Sequence, residues 1–217
     1  AGCYRYAGVA LVILVAASLS KTAENSMSYP RIALASSSPR RRELLAQLGV
    51  DFQLVTADID ETPYPNEPPR LYVTRLARQK AQAGLARLTT ELPVMGADTI
   101  VVANNEILGK PADFAEFNRT MQLLSGRCHQ VMTAVALLNS QRTLQQLVCT
   151  EVYFRPLAAK DIDSYWQTGE PHDKAGGYGI QGLAAKFVQR INGSYTAVVG
   201  LPLCETEQLL QQWQEPV

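Results

Sequence analysis

The sequence has few of the side chains that bind transition metals or form disulfides. It contains four cysteines and two histidines in 217 residues. The cysteines form no C-x-x-C pair, so neither a structural zinc site nor a disulfide-stabilised fold is expected. Any metal ion would rest mainly on carboxylates and other oxygen ligands, which is the pattern of magnesium and manganese.

The chain also lacks an excess of charge of either sign. Twenty basic and twenty acidic side chains give a formal net charge of zero. No nucleic acid or anionic membrane is therefore expected as a partner, and any anion site must be local. A content of 47% hydrophobic and 18% charged residues is ordinary for a soluble globular protein, and the length suits one α/β domain with a cleft.

Residues 8–17 form an apolar run that is too short for a comfortable membrane span but has the length of a signal-peptide core. Export or anchoring is one interpretation of this run. We favour the other, in which residues 1–29 are an upstream extension, because Met27 stands just before the first regular strand. The folded domain then covers residues 30–217, and a cytoplasmic location is expected.

Apart from Asp98 and Thr99, residues 94–102 form an apolar run that is short and rich in β-branched side chains, which predicts a buried central strand. Asp98 lies in the middle of this strand. Removing a lone carboxylate from water costs several kcal/mol unless a cation or hydrogen-bond donors compensate. Asp98 is therefore the first catalytic candidate, facing a polar cleft or a metal ion. The alternative is a carboxylate that only accepts backbone N–H groups at a strand end.

A tight hairpin is predicted directly after this strand. Asn104 and Asn105 suit the two central positions of its turn. The hairpin would return Lys110 toward Asp98. A carboxylate and an ammonium brought together in this way suit phosphate chemistry.

A short apolar strand at residues 31–35 leads through three serines into a helix for which Ser38 is a suitable N-cap. The free N–H groups and the dipole at a helix start favour an anion. The hydroxyls of Ser36 and Ser38 and the guanidinium groups of Arg40 and Arg41 add donors. Cations in a first turn oppose the dipole, so their placement indicates a bound phosphate. The alternative is a solvated arginine face.

The apolar positions of residues 70–88 follow helical spacing, and Lys80 falls on the buried side of that helix. A lysine there either extends outward to solvent or meets an anion, and the spacing favours neither. The acidic loop at residues 58–61 precedes this helix. Clustered acids in a loop are usually solvated, yet Glu61 could approach a metal ion held by Asp98.

The remaining regular elements are predicted from spacing alone. His129 is interpreted as a hydrogen-bonded structural residue rather than a ligand. The pattern predicts helices at residues 113–124, 161–168 and 203–213, and two antiparallel strands at residues 131–138 and 144–154.

A glycine-rich segment at residues 173–182 contains G-x-G-x-x-G. A dinucleotide-binding interpretation is rejected, because that motif needs a strand immediately before it and a helix opening within it. The glycines still let the backbone approach a ligand closely. Gln181 offers a donor and an acceptor together, which suits the imide edge of uracil or thymine. The alternative is a mobile loop without a ligand.

Taken together, these residues resemble the Maf family of nucleoside triphosphate pyrophosphatases over about residues 31–213. Each matching motif is weak alone, but seven in family order are highly specific. They are ASSSPRR at 35–41, LARQKA at 76–81, GADT at 96–99, GKP at 109–111, SGRCHQV at 125–131, DKAGGYGIQG at 173–182 and GLP at 200–202. The GYGIQG form is similar to the branch that acts on dTTP and UTP.

The resemblance implies an elongated mixed β-sheet flanked by helices, with two lobes and a central cleft, as in inosine triphosphate pyrophosphatases. It implies hydrolysis of a pyrimidine nucleoside triphosphate between the α and β phosphates, a divalent cation (Mg²⁺ or Mn²⁺) and often a homodimer. The competing hypotheses are a non-catalytic nucleotide sensor that signals to a cell-division partner and, from the glycine motif, an oxidoreductase.

The resemblance also assigns roles to individual residues. Asp98 matches the proposed general base, and Asp98 with Glu61 is the expected metal site. The positions that tune nucleotide choice are Arg41, Thr99 and Gln181. The positions expected around the phosphates are Ser36, Ser38, Arg40, Lys80 and Lys110.

Overall fold

The computed structural model describes residues 29–216. These residues form a mixed seven-stranded sheet flanked by six helices. The strands are β1 Ile32–Ala35, β2 Phe52–Val55, β3 Val94–Ala103, β4 Glu106–Leu108, β5 Cys128–Leu138, β6 Thr143–Phe154 and β7 Val188–Asn192. The helices are α1 Pro39–Gln47, α2 Pro69–Arg87, α3 Phe114–Leu124, α4 Ala159–Trp166, α5 Tyr195–Val199 and α6 Leu203–Gln214. Apart from Tyr29, the predicted extension at residues 1–29 lies outside the described residues.

The strand order is β2-β1-β3-β5-β6-β7, and β4 pairs with β3 beside this path. β1 is parallel to both β2 and β3, whereas β3, β5, β6 and β7 pair antiparallel in sequence. The two parallel connections pass through α1 and α2, as parallel strands require. The predicted mixed α/β fold is therefore confirmed.

β3 is the central strand, as predicted, and it is covered on both faces. On one face its even-numbered residues pack against α2 in a single apolar cluster. Gly96 permits this close packing. A Cβ on Gly96 would collide with the carbonyl oxygen of Ala77 and would lie 2.5 Å from the backbone nitrogen of Ala81, both in α2.

On the opposite face of β3 the apolar packing is split into two clusters. Met95 and Ala97 pack with α1 and α6 in one cluster. Val101 and Ala103 pack with α3 and α4 in the other. Thr99 lies between the two, so the gap between two lobes opens above the middle of β3.

One edge of β3 is also open at the same place. β5 pairs with this strand along residues 94–102. On the other side β1 pairs only with Val94 and Met95, and β4 begins only at Val101. No strand of the described chain pairs with that edge at residues 96–100. Asp98 and Thr99 therefore lie on opposite faces of a strand whose free edge faces a cleft.

The predicted elements agree with the structure to within a few residues, with two differences. β5 begins at Cys128, so His129 lies within the strand rather than before it. The helix α5 was not predicted, because its apolar residues number only a few and β-branched valines favour strands. None of the helices in residues 29–216 has the length and apolar character needed to cross a membrane.

We expect Gly96→Ala to lower the free energy of unfolding by about 3 kcal/mol, because the added methyl group would press on the backbone of α2. Gly109→Ala is the matched control, since a Cβ there meets nothing within 4 Å. Urea unfolding followed by circular dichroism measures both changes. Equal stability of the two variants would contradict the close packing of β3 on α2.

Candidate active site

A buried ion pair forms the centre of the cleft. The Lys80 ammonium, from α2, lies 2.6 Å from Oδ1 of Asp98 and 2.8 Å from Oε1 of Glu61. Asp98 is 7% exposed, whereas the Glu61 side chain is 55% exposed. Lys80 therefore contacts anionic side chains and does not extend outward to solvent. Glu61 and Asp98, the two carboxylates expected at a metal ion, both contact the Lys80 ammonium.

The acidic loop that carries Glu61 is held against α2. The Tyr72 hydroxyl donates to the Glu61 carbonyl oxygen at 2.8 Å. The Arg75 guanidinium donates twice to the Glu67 carboxylate, at 2.7 Å each, and lies 4.0 Å from the centroid of the Tyr64 ring. These contacts fix the loop at Glu61 and on its C-terminal side, with the Glu61 carboxylate toward Lys80.

The serine loop and the start of α1 line the cleft beside this ion pair. Ser38 is the N-cap, as predicted, and its oxygen accepts from the backbone N–H of Arg41 at 3.5 Å. The backbone N–H of Ser38 donates to Oγ of Ser36 at 3.2 Å. Within the described chain the Arg40 side chain forms no hydrogen bond or ion pair, which leaves its charge available to an anionic ligand.

Arg41 crosses from α1 to the gap above β3. Its Nε donates to the Gly200 carbonyl oxygen at 2.9 Å, and its Nη2 donates to Oγ1 of Thr99 at 3.2 Å. Burial lowers the pKa of Arg41, and the negative charge of Asp98 acts in the opposite direction. Arg41 thus supports Thr99 directly, whereas Arg40 faces the open cleft.

The predicted hairpin brings Lys110 to the same cleft. Asn104 and Asn105 have φ angles of 49° and 64°, the left-handed values that a tight two-residue hairpin turn requires. β4 then runs back beside β3, and both Lys110 and Asp98 line the cleft. Lys110 is exposed and has no hydrogen-bond or ion-pair partner among residues 29–216.

The glycine-rich segment forms the opposite wall in a series of 3₁₀ turns, without the strand and helix of a dinucleotide motif. Glu170 anchors it, because its carboxylate accepts from the Tyr165 hydroxyl and from the backbone N–H of Leu183, each at 2.8 Å. A Cβ on Gly182 would collide with that carboxylate. Gln181 is exposed on the cleft between these anchored points, and its side chain has no partner within the described range.

A buried cluster of aromatic side chains packs against the glycine-rich segment at Tyr178. Nε2 of His129 lies 2.7 Å from the Tyr178 hydroxyl, and the Phe154 ring packs edge-on against both rings. His129 is 2% exposed, so its interpretation as a hydrogen-bonded structural residue is confirmed. Burial lowers the pKa of His129 to about 4, which keeps the imidazole neutral.

The cleft enclosed by these elements has a volume of about 900 Å³. It brings together the ten residues singled out from the sequence, which all line it. They are Ser36, Ser38, Arg40, Arg41, Glu61, Lys80, Asp98, Thr99, Lys110 and Gln181. Cations on several elements around one buried carboxylate suit a highly charged anionic ligand.

Comparison with known proteins agrees with the motif pattern. Residues 31–213 match the family described as Maf-like protein. This chain belongs to the Maf family. It is 57% identical over 180 residues to a dTTP/UTP pyrophosphatase of Pseudoalteromonas translucida, which covers 83% of this chain and 95% of that protein. It is 59% identical over 180 residues to a dTTP/UTP pyrophosphatase of Salmonella typhimurium, with 83% and 91% covered.

Likeness to solved structures is weaker. A nucleoside-triphosphatase (dITP/XTP pyrophosphatase) of Mycobacterium abscessus is 16% identical, with a TM-score of 0.40. The match covers 59% of this chain and 75% of that one. A likeness at this level assigns no property to this Maf chain.

The carboxylate oxygens of Asp98 and Glu61 in this Maf cleft are suitable ligands for a divalent cation. Among the residues described, no group of three or more histidine, cysteine or acidic side chains is placed to hold a metal ion. Asp98 and Glu61 supply two carboxylates, and Mg²⁺ commonly takes one or two carboxylates together with phosphate oxygens and water. Lys80 bridges the two carboxylates, so a cation there would compete with its ammonium.

Three side chains that shape this Maf site were missed by sequence reasoning. Tyr72 holds the acidic loop, Glu170 anchors the glycine-rich segment, and Thr133 contacts Thr99 from β5. Only Thr133 had a usable signal, because it is a hydroxyl within the otherwise apolar run of residues 131–138. The other two act through contacts that no local pattern encodes.

We expect the fold to lose about 2 kcal/mol of stability between about pH 7.5 and about pH 5 because of His129. Its pKa falls from an ordinary value of 6.5 to about 4 on folding. As the pH drops, the unfolded chain therefore takes up this proton first. The stabilisation is complete above pH 6.5 and is lost as the pH falls toward 4.

Urea unfolding at the two pH values measures this loss. His129→Gln should remove most of the pH dependence, whereas His172→Gln, at an exposed imidazole, should retain it. An unchanged slope in His129→Gln would contradict the assignment.

Proposed function

We propose that this Maf chain hydrolyses dTTP and UTP to the nucleoside monophosphate and pyrophosphate. The observation that carries the proposal is the buried Asp98 carboxylate at the free edge of β3, surrounded by cations of the cleft. The identity of 57–59% to proteins named dTTP/UTP pyrophosphatases supports the substrate class. The biological task would be cleansing of the nucleotide pool.

The triphosphate would bind to the cations of the cleft. Arg40 and Lys110 have no protein partner in the described chain, so a bound phosphate would satisfy both. Lys80 would exchange part of its contact with the carboxylates for a phosphate oxygen, which its flexible stem permits. The hydroxyls of Ser36 and Ser38 each retain a proton to donate, since their oxygens act only as acceptors in the loop.

The reaction requires a water molecule to attack the α-phosphorus. Asp98 would orient this water and accept its proton while the new P–O bond forms. The bond from the α-phosphorus to the bridging oxygen then breaks, and its electron pair leaves with pyrophosphate. Arg40, Lys80 and Lys110 would stabilise the charge that grows on this leaving group.

Asp98 and Glu61 are the residues that would hold a divalent cation, Mg²⁺ or Mn²⁺. When bound, such an ion would neutralise charge on the phosphate oxygens and favour attack at phosphorus. One carboxylate does not readily serve both as metal ligand and as base, so the role of Asp98 is a point for experiment.

Nucleotide choice would rest on Arg41, Thr99 and Gln181. Gln181 presents an amide to the cleft, which can donate to one carbonyl oxygen of the uracil or thymine ring and accept from its N–H. The same face is common to dTTP and UTP, so both would be substrates. The resemblance to Maf proteins further supports a cytoplasmic homodimer.

The competing proposal is a nucleotide-binding regulator of cell division without catalysis. The ion pair between Lys80 and Asp98 is the observation that favours it, because the carboxylate is already engaged by a cation. Such a protein would bind the same triphosphates without releasing pyrophosphate.

We expect the full chain, with Mg²⁺ or Mn²⁺, to release pyrophosphate from dTTP and UTP faster than from CTP, dATP and GTP. Asp98→Asn should lower turnover by about 100-fold or more if this carboxylate is the base, with metal affinity nearly intact. If Asp98 is only a ligand, the variant should instead require a higher metal concentration. Measuring release against metal concentration separates the two roles.

Glu61→Gln is the matched control, because it changes the other carboxylate that contacts Lys80. As an exposed metal ligand, Glu61 should affect the metal requirement more than the maximal turnover. Binding of every nucleotide without pyrophosphate release would overturn the enzyme proposal and favour the regulator.

A further inference from the structure

Three polar groups form a hydrogen-bonded chain from the cleft into the core. They are the hydroxyls of Thr99 and Thr133 and the carbonyl group of Ala197. Oγ1 of Thr99 lies 3.0 Å from Oγ1 of Thr133. Thr133 is fully buried on β5, and its hydroxyl donates to the carbonyl oxygen of Ala197 at 2.7 Å. On its other side, Oγ1 of Thr99 accepts from Nη2 of Arg41 at 3.2 Å.

The direction of every proton in this chain is fixed. A carbonyl oxygen only accepts, so the single hydroxyl proton of Thr133 points to Ala197. Thr133 must then accept from Thr99, whose own proton is used in that bond. Arg41 only donates, and its hydrogen bond takes one lone pair of Thr99. What Thr99 offers to the cleft is therefore a lone pair and no proton.

This fixed polarity excludes a phosphate at Thr99. Phosphate oxygens are acceptors, and two acceptors facing each other repel. In a cleft that also carries the cations Arg40, Lys80 and Lys110, Thr99 marks the place where the ligand presents a donor. Asp98 and Lys80 lie on the other face of β3, so this donor lies away from the reacting phosphates. In a pyrimidine nucleotide, the ring N3–H of uracil and thymine is such a donor.

Gln181 alone would not distinguish uracil from cytosine. Its amide has no partner in the described chain, so it can turn over and offer either its oxygen or its NH₂ group. The Thr99 hydroxyl has no such freedom, because its proton is donated to Oγ1 of Thr133. Cytosine carries an unprotonated N3, whose lone pair would face the lone pair of Thr99.

We propose that Thr133 is a specificity-determining residue, which selects N3–H pyrimidines by holding the Thr99 hydroxyl as an acceptor. Thr133 does not touch the nucleotide and acts as a positioning residue. The inference rests on the proposed pyrophosphatase function and adds the means by which cytosine nucleotides are rejected.

The decisive measurement is the ratio of kcat/KM for UTP to kcat/KM for CTP, from pyrophosphate release by the full chain. Thr133→Val keeps the shape of the side chain but frees the Thr99 proton, which can then donate to N3 of cytosine. We expect the ratio to fall roughly tenfold, the effect of one hydrogen bond. Thr133→Ser, which restores the hydroxyl, should keep the ratio near that of the unaltered protein.

Thr150→Val is the matched control for lost packing and hydrogen bonding. Thr150 is also fully buried, and its hydroxyl donates to the Ser194 carbonyl oxygen at 3.2 Å, but it does not contact Thr99. This variant should lower stability without changing the ratio. An unchanged ratio in folded Thr133→Val, or an equal change in Thr150→Val, would overturn the inference.

Thr99→Val provides a second test if Thr133→Val does not fold. It removes the acceptor itself, so kcat/KM should fall for UTP and dTTP while CTP changes little. An equal fall for all three would mean that Thr99 contacts the sugar or only supports the fold, and would overturn the inference. Failure of the unaltered protein to cleave UTP would instead overturn the proposed function.

Discussion

The burial of the Asp98 carboxylate in an apolar sheet is the constraint on which the rest of the site depends. An isolated charge at that position would cost several kcal/mol. Two features compensate for this cost. Lys80 reaches Asp98 from α2 at 2.6 Å, and the edge of β3 is left unpaired over residues 96–100. The unpaired edge also opens the carboxylate to a ligand, and Lys80 is the cation with which that ligand would share it.

Alternation along β3 then separates two chemical tasks. Asp98 points to the face that packs on α2, with Lys80 and Glu61. Thr99 points to the opposite face, between the two apolar clusters, where Arg41 contacts it. Asp98 thus provides a negative charge on one face of the strand, and Thr99 provides a hydrogen-bond acceptor on the other. The two neighbouring residues do not compete for the same space. The free edge between them lets one ligand reach both faces.

Local patterns in the sequence predicted most of this arrangement. The apolar run around Asp98, the Asn104–Asn105 turn and the Ser38 cap each encode their own geometry within a few residues. Lys80 was placed on the buried side of its helix, but periodicity gives a face and not a partner. Thr133 is 34 residues from Thr99 and 64 from Ala197. Contacts at such separations depend on strand order, which no local pattern contains. The family resemblance assigned a role to Thr99 but not to Thr133.

The hairpin and the glycine-rich wall are joined by backbone. The N–H of Gly176 donates to the Gly109 carbonyl oxygen at 2.9 Å, and a Cβ on Gly176 would lie 2.9 Å from side-chain atoms of Val101. The backbone that carries Lys110 is therefore joined to the glycine-rich segment that carries Gln181. The Lys110 and Gln181 side chains are exposed and have no partner in the described chain, so they can adjust to a ligand while the hydrogen bond joins their backbone segments. The separation of the two backbone segments limits how far the charged end of a ligand can lie from its hydrogen-bonding ring.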